Sequence, residues 1–307
     1  MKNQELDIVT GAFGYTGKYI TRRLLAMGRR VRTLTGHPER GVGVNSAIEV
    51  SPLQFERPVE LAESMRGAST LYNTYWIRFP RGKSTYEKAV ENTRVLVSAA
   101  REAGLRRIVH LSITNPAPDS TLGYFRGKAE IEQIIANSGL SYAILRPTVI
   151  FGVEDVLLNN IAWLLRHFPV FAIPGSGRYQ LQPVYVVDVA EMAVAASKES
   201  RNTVMDAVGP EVYTFEDLVS LIASKVGSRA RRLHVAPPVA LFLSRFVGWA
   251  VRDVVLTRDE VEGLMAGLLV SKETAIGWTR LSDWTDRHAH LLGKHYASEL
   301  SRHFRNA

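Results

Sequence analysis

The hydrophobic pattern at the start of the chain changes from a continuous apolar run to a helical rhythm. The run Leu6–Thr10 predicts a buried β-strand. Three glycines then recur at intervals of three residues: Gly11, Gly14 and Gly17. Beyond them, one face of a predicted helix carries larger side chains: Tyr15, Ile20, Leu24 and Leu25. The beginning of the chain therefore predicts a strand, a tight turn and a helix.

Glycine at these three places suits a dinucleotide. Gly11 permits a sharp turn, Gly14 lets a pyrophosphate approach the backbone, and Gly17 lets the helix pack on the strand. The free N–H groups and positive dipole end of the helix favour phosphate. A glycine-rich structural turn is the alternative. The predicted cofactor contacts in this turn are Gly11, Phe13, Gly14, Tyr15, Thr16 and Gly17.

Strand-like and helical stretches alternate over the first half of the chain. Further strands are predicted at 30–35, 47–50, 69–76, 107–112, 141–145 and 203–208, and helices at 59–65, 84–103 and 122–137. This alternation predicts an α/β fold, a Rossmann doubly wound parallel sheet with a smaller, mainly helical C-terminal lobe. We expect a dinucleotide-binding domain over 1–152, completed by 181–208, and a substrate-side segment and helical lobe over 153–307.

Composition narrows the class of protein. The 307 residues carry a net charge of +8 and contain no cysteine, which excludes disulfides and thiolate chemistry. The basic residues are scattered and form no nucleic-acid module, so we expect no nucleic-acid partner. The first strand lies close to Met1 and no apolar run approaches membrane-spanning length. We therefore expect a cytoplasmic protein, with peripheral membrane contact left open.

The end of the second predicted strand bears on the choice of cofactor. An acidic residue there binds the ribose of NAD, whereas a basic one accommodates the 2′-phosphate of NADP. No Asp or Glu stands at 35–38, and His37 and Arg40 lie close to Thr35. We predict that these three residues contact the cofactor and that NADP(H) is favoured, with NAD(H) as the alternative.

A candidate catalytic group lies on the helix predicted at 122–137. Tyr124 and Lys128 stand four residues apart and so share a face. An adjacent ammonium stabilises a phenolate and lowers the pKa of the phenol toward the neutral range. Ser112, at the end of the strand before, could donate a hydrogen bond to a substrate carbonyl. A solvated helix face is the alternative.

Together these residues resemble the short-chain dehydrogenase/reductases of the extended or atypical kind. Within that superfamily, the chain is most similar to NAD(P)H-binding proteins such as the nucleotide-binding accessory subunit of respiratory complex I and NmrA-like proteins. The matching positions are the turn at 10–17, Asn92, Ser112, Tyr124, Lys128, Arg146-Pro147, Phe151-Gly152, Pro183-Val184 and Asp188-Val189-Ala190.

The resemblance implies an activity and site roles. It implies an NAD(P)-dependent oxidoreductase that transfers hydride to or from a carbonyl or alcohol, or an epimerase or dehydratase. Asn92 would hold a water that relays protons to Lys128, which would also hold the nicotinamide ribose, and Pro147 would lie near the nicotinamide. Some relatives bind cofactor without turnover. A non-catalytic sensor or accessory subunit of a respiratory or membrane complex therefore stays open.

Two positions depart from the family pattern. The basic residue that many relatives carry after the second strand falls at Gly36, and their adenine-contacting Asp falls near Pro52. Adenine recognition must therefore differ here. The substrate pocket is expected from 74–82, 114–123 and 150–182, with apolar and aromatic walls that suit a small molecule. Three histidines in the C-terminal part, His288, His290 and His295, have poor zinc geometry, so no metal site is expected.

The stretch 238–256 predicts an amphipathic helix. Its apolar face comprises Val239, Phe242, Leu243, Phe246 and Ala250, and its polar face Ser244, Arg245 and Arg252. The favoured interpretation is a helix packed on the core of the small lobe. The alternative is an interfacial helix in contact with a membrane.

Overall fold

The computed structural model describes residues 5–41 and 46–303. Its strands are β1 (Leu6–Thr10), β2 (Arg30–Thr35), β3 (Ile48–Pro52), β4 (Ala68–Asn73), β5 (Arg107–Leu111), β6 (Ser141–Pro147), β7 (Ile150–Phe151), β8 (Val170–Pro174), β9 (Gln180–Leu181), β10 (Val184–Tyr185), β11 (Thr203–Ala207), β12 (Tyr213–Thr214) and β13 (Arg231–Val235). Its α-helices are α1 (Tyr15–Ala26), α2 (Pro58–Met65), α3 (Tyr86–Glu102), α4 (Gly123–Ala136), α5 (Leu157–His167), α6 (Val186–Ala196), α7 (Phe215–Lys225), α8 (Pro237–Val251), α9 (Arg258–Met265), α10 (Leu281–His288) and α11 (Glu299–His303).

The described residues divide into two compact units. Those up to 147, together with 187–206, form the first unit, and 148–186 with those from 207 onward form the second. The first unit contains a seven-stranded sheet in the order β11-β6-β5-β4-β1-β2-β3, and β1 to β6 pair in parallel. The strand order reverses between β1 and β4, where ligands bind in such sheets. The predicted doubly wound Rossmann fold is confirmed.

Burial explains why these strands could be predicted. Strands β1 and β5 are buried along their whole length, as parallel strands covered by helices on both faces should be. Helices α2, α3 and α4 pack on one face of the sheet. The shared core is built from large aliphatic side chains: Ile8, Leu71, Ile108, Ile144, Met65, Leu96 and Ile131.

The second unit is mainly helical. Its strands form three two-stranded sheets, β10-β7, β12-β9 and β13-β8. Its core surrounds Trp284 of α10, which is fully buried and packs edge-on against Phe151 with ring centroids 5.4 Å apart. Helices α5 and α7 contribute aliphatic side chains to the same core.

Some predicted boundaries are wrong by a few residues. The fourth strand ends at Asn73 rather than at 76, because the Asn73 Oδ1 accepts a hydrogen bond from the backbone N–H of Tyr75 at 3.0 Å. This Asx-type contact turns the chain away from the sheet.

The favoured interpretation of 238–256 is also wrong. Helix α8 does form, but it ends at Val251 and exposes Val239, Phe242, Leu243 and Phe246 to solvent. Its buried positions are the small residues Ala240 and Gly248. The large apolar face is therefore not the face that packs on the lobe.

Candidate functional site

The turn between β1 and α1 is closed by its own backbone. Gly11 has φ +66°, in the left-handed region that favours glycine, and the N–H of Gly14 donates to its carbonyl at 2.8 Å. A Cβ at position 17 would lie 2.2 Å from the Gly11 carbonyl oxygen. Gly11 and Gly17 are thus required by the turn itself.

The N-terminus of α1 is available to an anion. Gly14 is the N-cap residue, no side chain caps the helix, and its first turn holds no acidic residue. The first N–H groups of a helix lack intrahelical acceptors and carry the positive end of the dipole. Phe13, Tyr15 and Thr16 line this end as half-buried residues. These features fit the pyrophosphate of a dinucleotide.

An acidic residue that was not among the predicted cofactor contacts, Glu39, lies in the turn after β2. Thr35 is buried, and its Oγ1 accepts the backbone N–H of His37 at 3.1 Å. The Nδ1 of His37 lies 3.2 Å from a carboxylate oxygen of Glu39. Arg40 belongs to the same 3₁₀ turn, and its side chain lies outside the described part of the structure. The predicted phosphate-binding histidine is thus partnered by a carboxylate.

Ser112 follows β5 and is almost fully buried. Its hydroxyl donates a hydrogen bond to the carboxylate of Glu132 on α4, which also forms an ion pair with Arg146 of β6. A serine hydroxyl has one proton to donate. In this arrangement that proton is directed to Glu132, so donation to a substrate carbonyl requires the hydroxyl to rotate.

Lys128 lies beneath an aromatic ring. It is 3% exposed, its Nζ donates to the Leu111 carbonyl at 2.7 Å, and the Nζ lies 5.0 Å from the centroid of the Trp76 ring. Burial lowers the pKa of the Lys128 ammonium to about 7, against the opposing charge of Glu132. At neutral pH the amine is therefore poised between its two protonation states.

Trp76 also contacts Tyr124. The two rings pack edge-on with centroids 5.7 Å apart, and Tyr86 stacks on the Trp76 ring at 5.7 Å. Tyr124 itself is half-buried. Trp76 therefore touches both members of the predicted Tyr124–Lys128 pair, and sequence spacing gave no signal for this contact.

Asn92 of α3 faces a second tyrosine. Its Nδ2 donates to the hydroxyl of Tyr75 at 2.9 Å, while among the described residues its buried Oδ1 has no hydrogen-bond partner. Burial raises the pKa of the Tyr75 phenol. The resemblance assigns the Asn92 amide to a proton relay. Its Nδ2 is thus hydrogen-bonded within the protein, and its Oδ1 is left to accept a further hydrogen bond.

Two further buried groups complete this edge of the sheet. The Nδ1 of His110 lies 3.1 Å from the Nδ2 of Asn73, and burial together with the Lys128 charge holds the pKa of His110 well below 6.5. His110 is missing from the predicted site, because a histidine inside an apolar strand pattern gave no functional signal. Pro147 ends β6, is buried, and its carbonyl accepts the N–H of Thr114 at 2.9 Å.

The remaining expectations concern metals and membranes. In the described part of the chain, no three His, Asp or Glu side chains are grouped so that they could hold a metal ion. His288 stacks on Trp284 with ring centroids 4.6 Å apart. None of the described helices combines the length and apolar character that crossing a bilayer requires.

Comparison with known proteins finds a family match over the first half of the chain. The model of the NAD(P)H-binding family matches residues 11–154, which include the glycine turn, Ser112, Tyr124 and Lys128. Residues 11–154 match the NAD(P)H-binding domain family. The resemblance inferred from the sequence motifs is confirmed.

Named relatives of this chain fall into different classes. The mitochondrial NADH dehydrogenase [ubiquinone] 1 alpha subcomplex subunit 9 of Arabidopsis thaliana is 25% identical over 282 residues, 86% of this chain and 70% of that protein. The 4-hydroxy-2-methyl-3-oxo-4-farnesyl-3,4-dihydroquinoline-1-oxide ketoreductase of Stigmatella aurantiaca is 27% identical over 233 residues, 68% of this chain and 67% of that protein.

A solved structure supports the fold. The NADPH-dependent quinone oxidoreductase QOR2 of Escherichia coli, complexed with NADPH, superposes with a TM-score of 0.73 at 19% identity. The match covers 92% of this chain and 99% of that one. At this identity the likeness shows a common fold, and the reaction must be argued from the site.

Proposed function

We propose that the protein is an NAD(P)-dependent oxidoreductase that interconverts a carbonyl and an alcohol on a small apolar or aromatic substrate. The observation that carries the proposal is the placement of Tyr124 and Lys128 one turn apart on α4, both against Trp76. A solvated helix face does not explain a lysine that is 3% exposed. A buried lysine with a lowered pKa is typical of a functional site.

Each residue would have a separate task. The bound nicotinamide would supply or accept the hydride. Tyr124 would donate a proton to the carbonyl oxygen, which becomes the alcohol, and Lys128 in its ammonium form would stabilise the phenolate left behind. Ser112 would orient the oxygen after its hydroxyl turns from Glu132. Asn92, through its open Oδ1, would hold the water of a proton relay.

Replacing Tyr124 by Phe tests this function. The variant keeps the ring and removes the proton, so NADPH affinity should stay unchanged. Turnover on a responsive ketone or quinone should fall by about 10²–10⁴-fold. Tyr86→Phe is a matched control, because Tyr86 packs on the same Trp76 ring but its hydroxyl donates to the Arg78 carbonyl at 3.1 Å. Equal turnover by Tyr124→Phe and the wild type would refute the role.

A second function is favoured by the hydrogen bonds of the resting site. The Ser112 hydroxyl donates to Glu132 and the Lys128 Nζ donates to the Leu111 carbonyl, so both are held by the protein itself. Such a site could bind NAD(P)H in a non-catalytic sensor or in an accessory subunit of a respiratory complex, as the similarity to the Arabidopsis subunit suggests. Tight NADPH binding without turnover on a broad panel of ketones and quinones would favour this function.

We further propose that NADP(H) is preferred over NAD(H). Helix α1 carries no acidic residue in its first turn, and His37 stands at the end of β2. Glu39 opposes this preference, because its carboxylate lies next to His37 and would repel a 2′-phosphate. Glu39→Gln should therefore increase the preference for NADPH. Titration calorimetry with NADPH and NADH measures both effects. Tighter binding of NADH to the wild type would contradict the proposal.

A further inference from the structure

Helix α8 of the second unit exposes a stripe of large apolar side chains. Phe242 is 58% exposed, Phe246 is 60% exposed and Trp249 is 85% exposed. Val239 and Leu243 on the same face are exposed as well, and the rings of Phe242 and Phe246 pack edge-on at 4.9 Å. At about 100° per residue these five positions lie within a sector of about 120°. They form one continuous apolar stripe.

The opposite face fixes the orientation of α8. Ala240 and Gly248 are its buried residues, and a Cβ at position 248 would lie 2.6 Å from the carbonyl oxygen of Asp253. The close approach at Gly248 requires the small face to point inward. The apolar stripe lies on the other side of the helix and therefore points outward. Turning the helix to bury the stripe would place larger side chains against Asp253, where a Cβ is already too close.

The stretch of sequence that ends with α8 carries charged residues of one sign. Residues 218–252 contain six Lys and Arg residues and no Asp or Glu, and the ammonium of Lys225 is paired with Asp286. Arg245 lies beside the stripe on α8, and Arg231 and Arg232 are exposed on the strand before it. The acidic residue that follows, Asp253, is buried and accepts backbone N–H groups of α11.

We propose that α8 is a docking surface for an anionic lipid bilayer. An apolar face with aromatic residues, flanked by arginine, is the pattern of a helix that lies in the membrane interface. The helix has 15 residues and is too short to span the hydrocarbon core of about 30 Å. Arg245 of α8, with Arg231 and Arg232 of the preceding strand, would contact lipid phosphates while Phe242, Phe246 and Trp249 enter the acyl boundary. The proposal does not depend on whether the nucleotide site is catalytic.

Vesicle flotation tests the proposal on the full chain. With vesicles of phosphatidylcholine and phosphatidylglycerol at low salt, the wild type should float, and with phosphatidylcholine alone its partitioning should fall at least tenfold. Phe242→Ser with Phe246→Ser should weaken binding to the anionic vesicles at least tenfold, about 1.4 kcal/mol. Val59→Ser is the control, because Val59 is equally exposed on α2 of the other unit. Arg232→Gln with Arg245→Gln should reduce the preference for anionic vesicles.

Trp249 gives a readout that does not rely on the double variants folding. Addition of anionic vesicles should shift the tryptophan emission of the wild type to the blue, and Trp249→Phe should abolish the shift. Absence of flotation, or equal binding to both vesicle types, would overturn the proposal. Two other results would also overturn the proposal if the vesicles stay unbound. The first is a dimer that Phe242→Ser with Phe246→Ser disperses, and the second is a stoichiometric protein partner that the same double variant no longer binds.

Discussion

The buried ammonium of Lys128 should make the stability of the protein depend on pH. The side chain is 3% exposed, and burial lowers the pKa of the ammonium from 10.5 to about 7. In the unfolded chain the amine is hydrated and its pKa returns to about 10.4. Between pH 7 and about 10 the unfolded chain therefore binds more protons than the folded one. Because stability rises with pH wherever the unfolded state binds more protons, Lys128 makes the protein more stable as the pH increases.

The size of the effect follows from the two pKa values. Between pH 7 and 9 the difference in bound protons at this one site is worth about 2 kcal/mol of unfolding free energy. Lys128→Met keeps the alkyl chain and removes the titrating amine. The wild type should thus gain about 2 kcal/mol relative to Lys128→Met when the pH is raised from 7 to 9. Lys88→Met removes an exposed lysine paired with Glu91 and should leave this pH dependence unchanged.

Urea unfolding at pH 7, 8 and 9 measures the difference. Fluorescence and circular dichroism must give coincident transitions before the free energies are compared, because the chain has two compact units. If the wild type and Lys128→Met showed parallel pH dependences, the ammonium would be as well solvated in the folded protein as in the unfolded chain. That result would refute the argument from burial.

Two further substitutions test the glycine turn and the Glu132 hydrogen bonds that support the candidate site. Gly17→Ala places a Cβ 2.2 Å from a backbone carbonyl of the turn, so NADPH affinity measured by calorimetry should fall at least about tenfold. Glu132→Gln removes the charge that pairs with the half-buried Arg146 and accepts the hydrogen bond of the buried Ser112, and urea unfolding should show a loss of about 2–3 kcal/mol. Glu130→Gln, exposed on the same helix, should change the stability by less than about 0.5 kcal/mol.

The central strands β1 and β5 could be predicted from the sequence because strands buried on both faces appear as near-continuous apolar runs. Strand β2 is mixed in polarity, and it was predicted with the bounds Arg30–Thr35 that the structure shows. The glycine turn was predictable for a local reason, since a positive φ and a close approach of backbone atoms both require glycine. The end of β4 was not, because it is set by a side chain of Asn73 that bonds to the chain two residues later.

The site itself was predictable only in part. The spacing of Tyr124 and Lys128 on one helix face is a local pattern. The packing of Trp76 on both, and the hydrogen bond from Ser112 to Glu132, join segments far apart in the chain and depend on how helix and strand meet. Periodicity likewise predicted four of the five residues of the apolar stripe of α8, without Trp249, but could not show that the stripe is exposed.

The role proposed for Lys128 toward the cofactor can be tested separately from its proposed role in catalysis by counting the protons taken up on binding. At pH 8, with a pKa of about 7, only about a tenth of the lysine is protonated in the free protein. If bound NADPH recruits Lys128 as an ammonium, binding should take up about 0.9 proton.

Calorimetry in buffers of different ionisation enthalpy measures this proton uptake without any substrate. Lys128→Met should bind NADPH with an uptake smaller by about 0.9 proton, because the titrating amine is gone. Tyr124→Phe should keep the wild-type uptake, since it leaves the amine and its bond to the Leu111 carbonyl in place. Equal uptake by the wild type and Lys128→Met would mean that Lys128 keeps its resting protonation when NADPH binds. Lys128 would then be a buried structural residue beneath Trp76, and the catalytic proposal would lose the ammonium that Tyr124 needs.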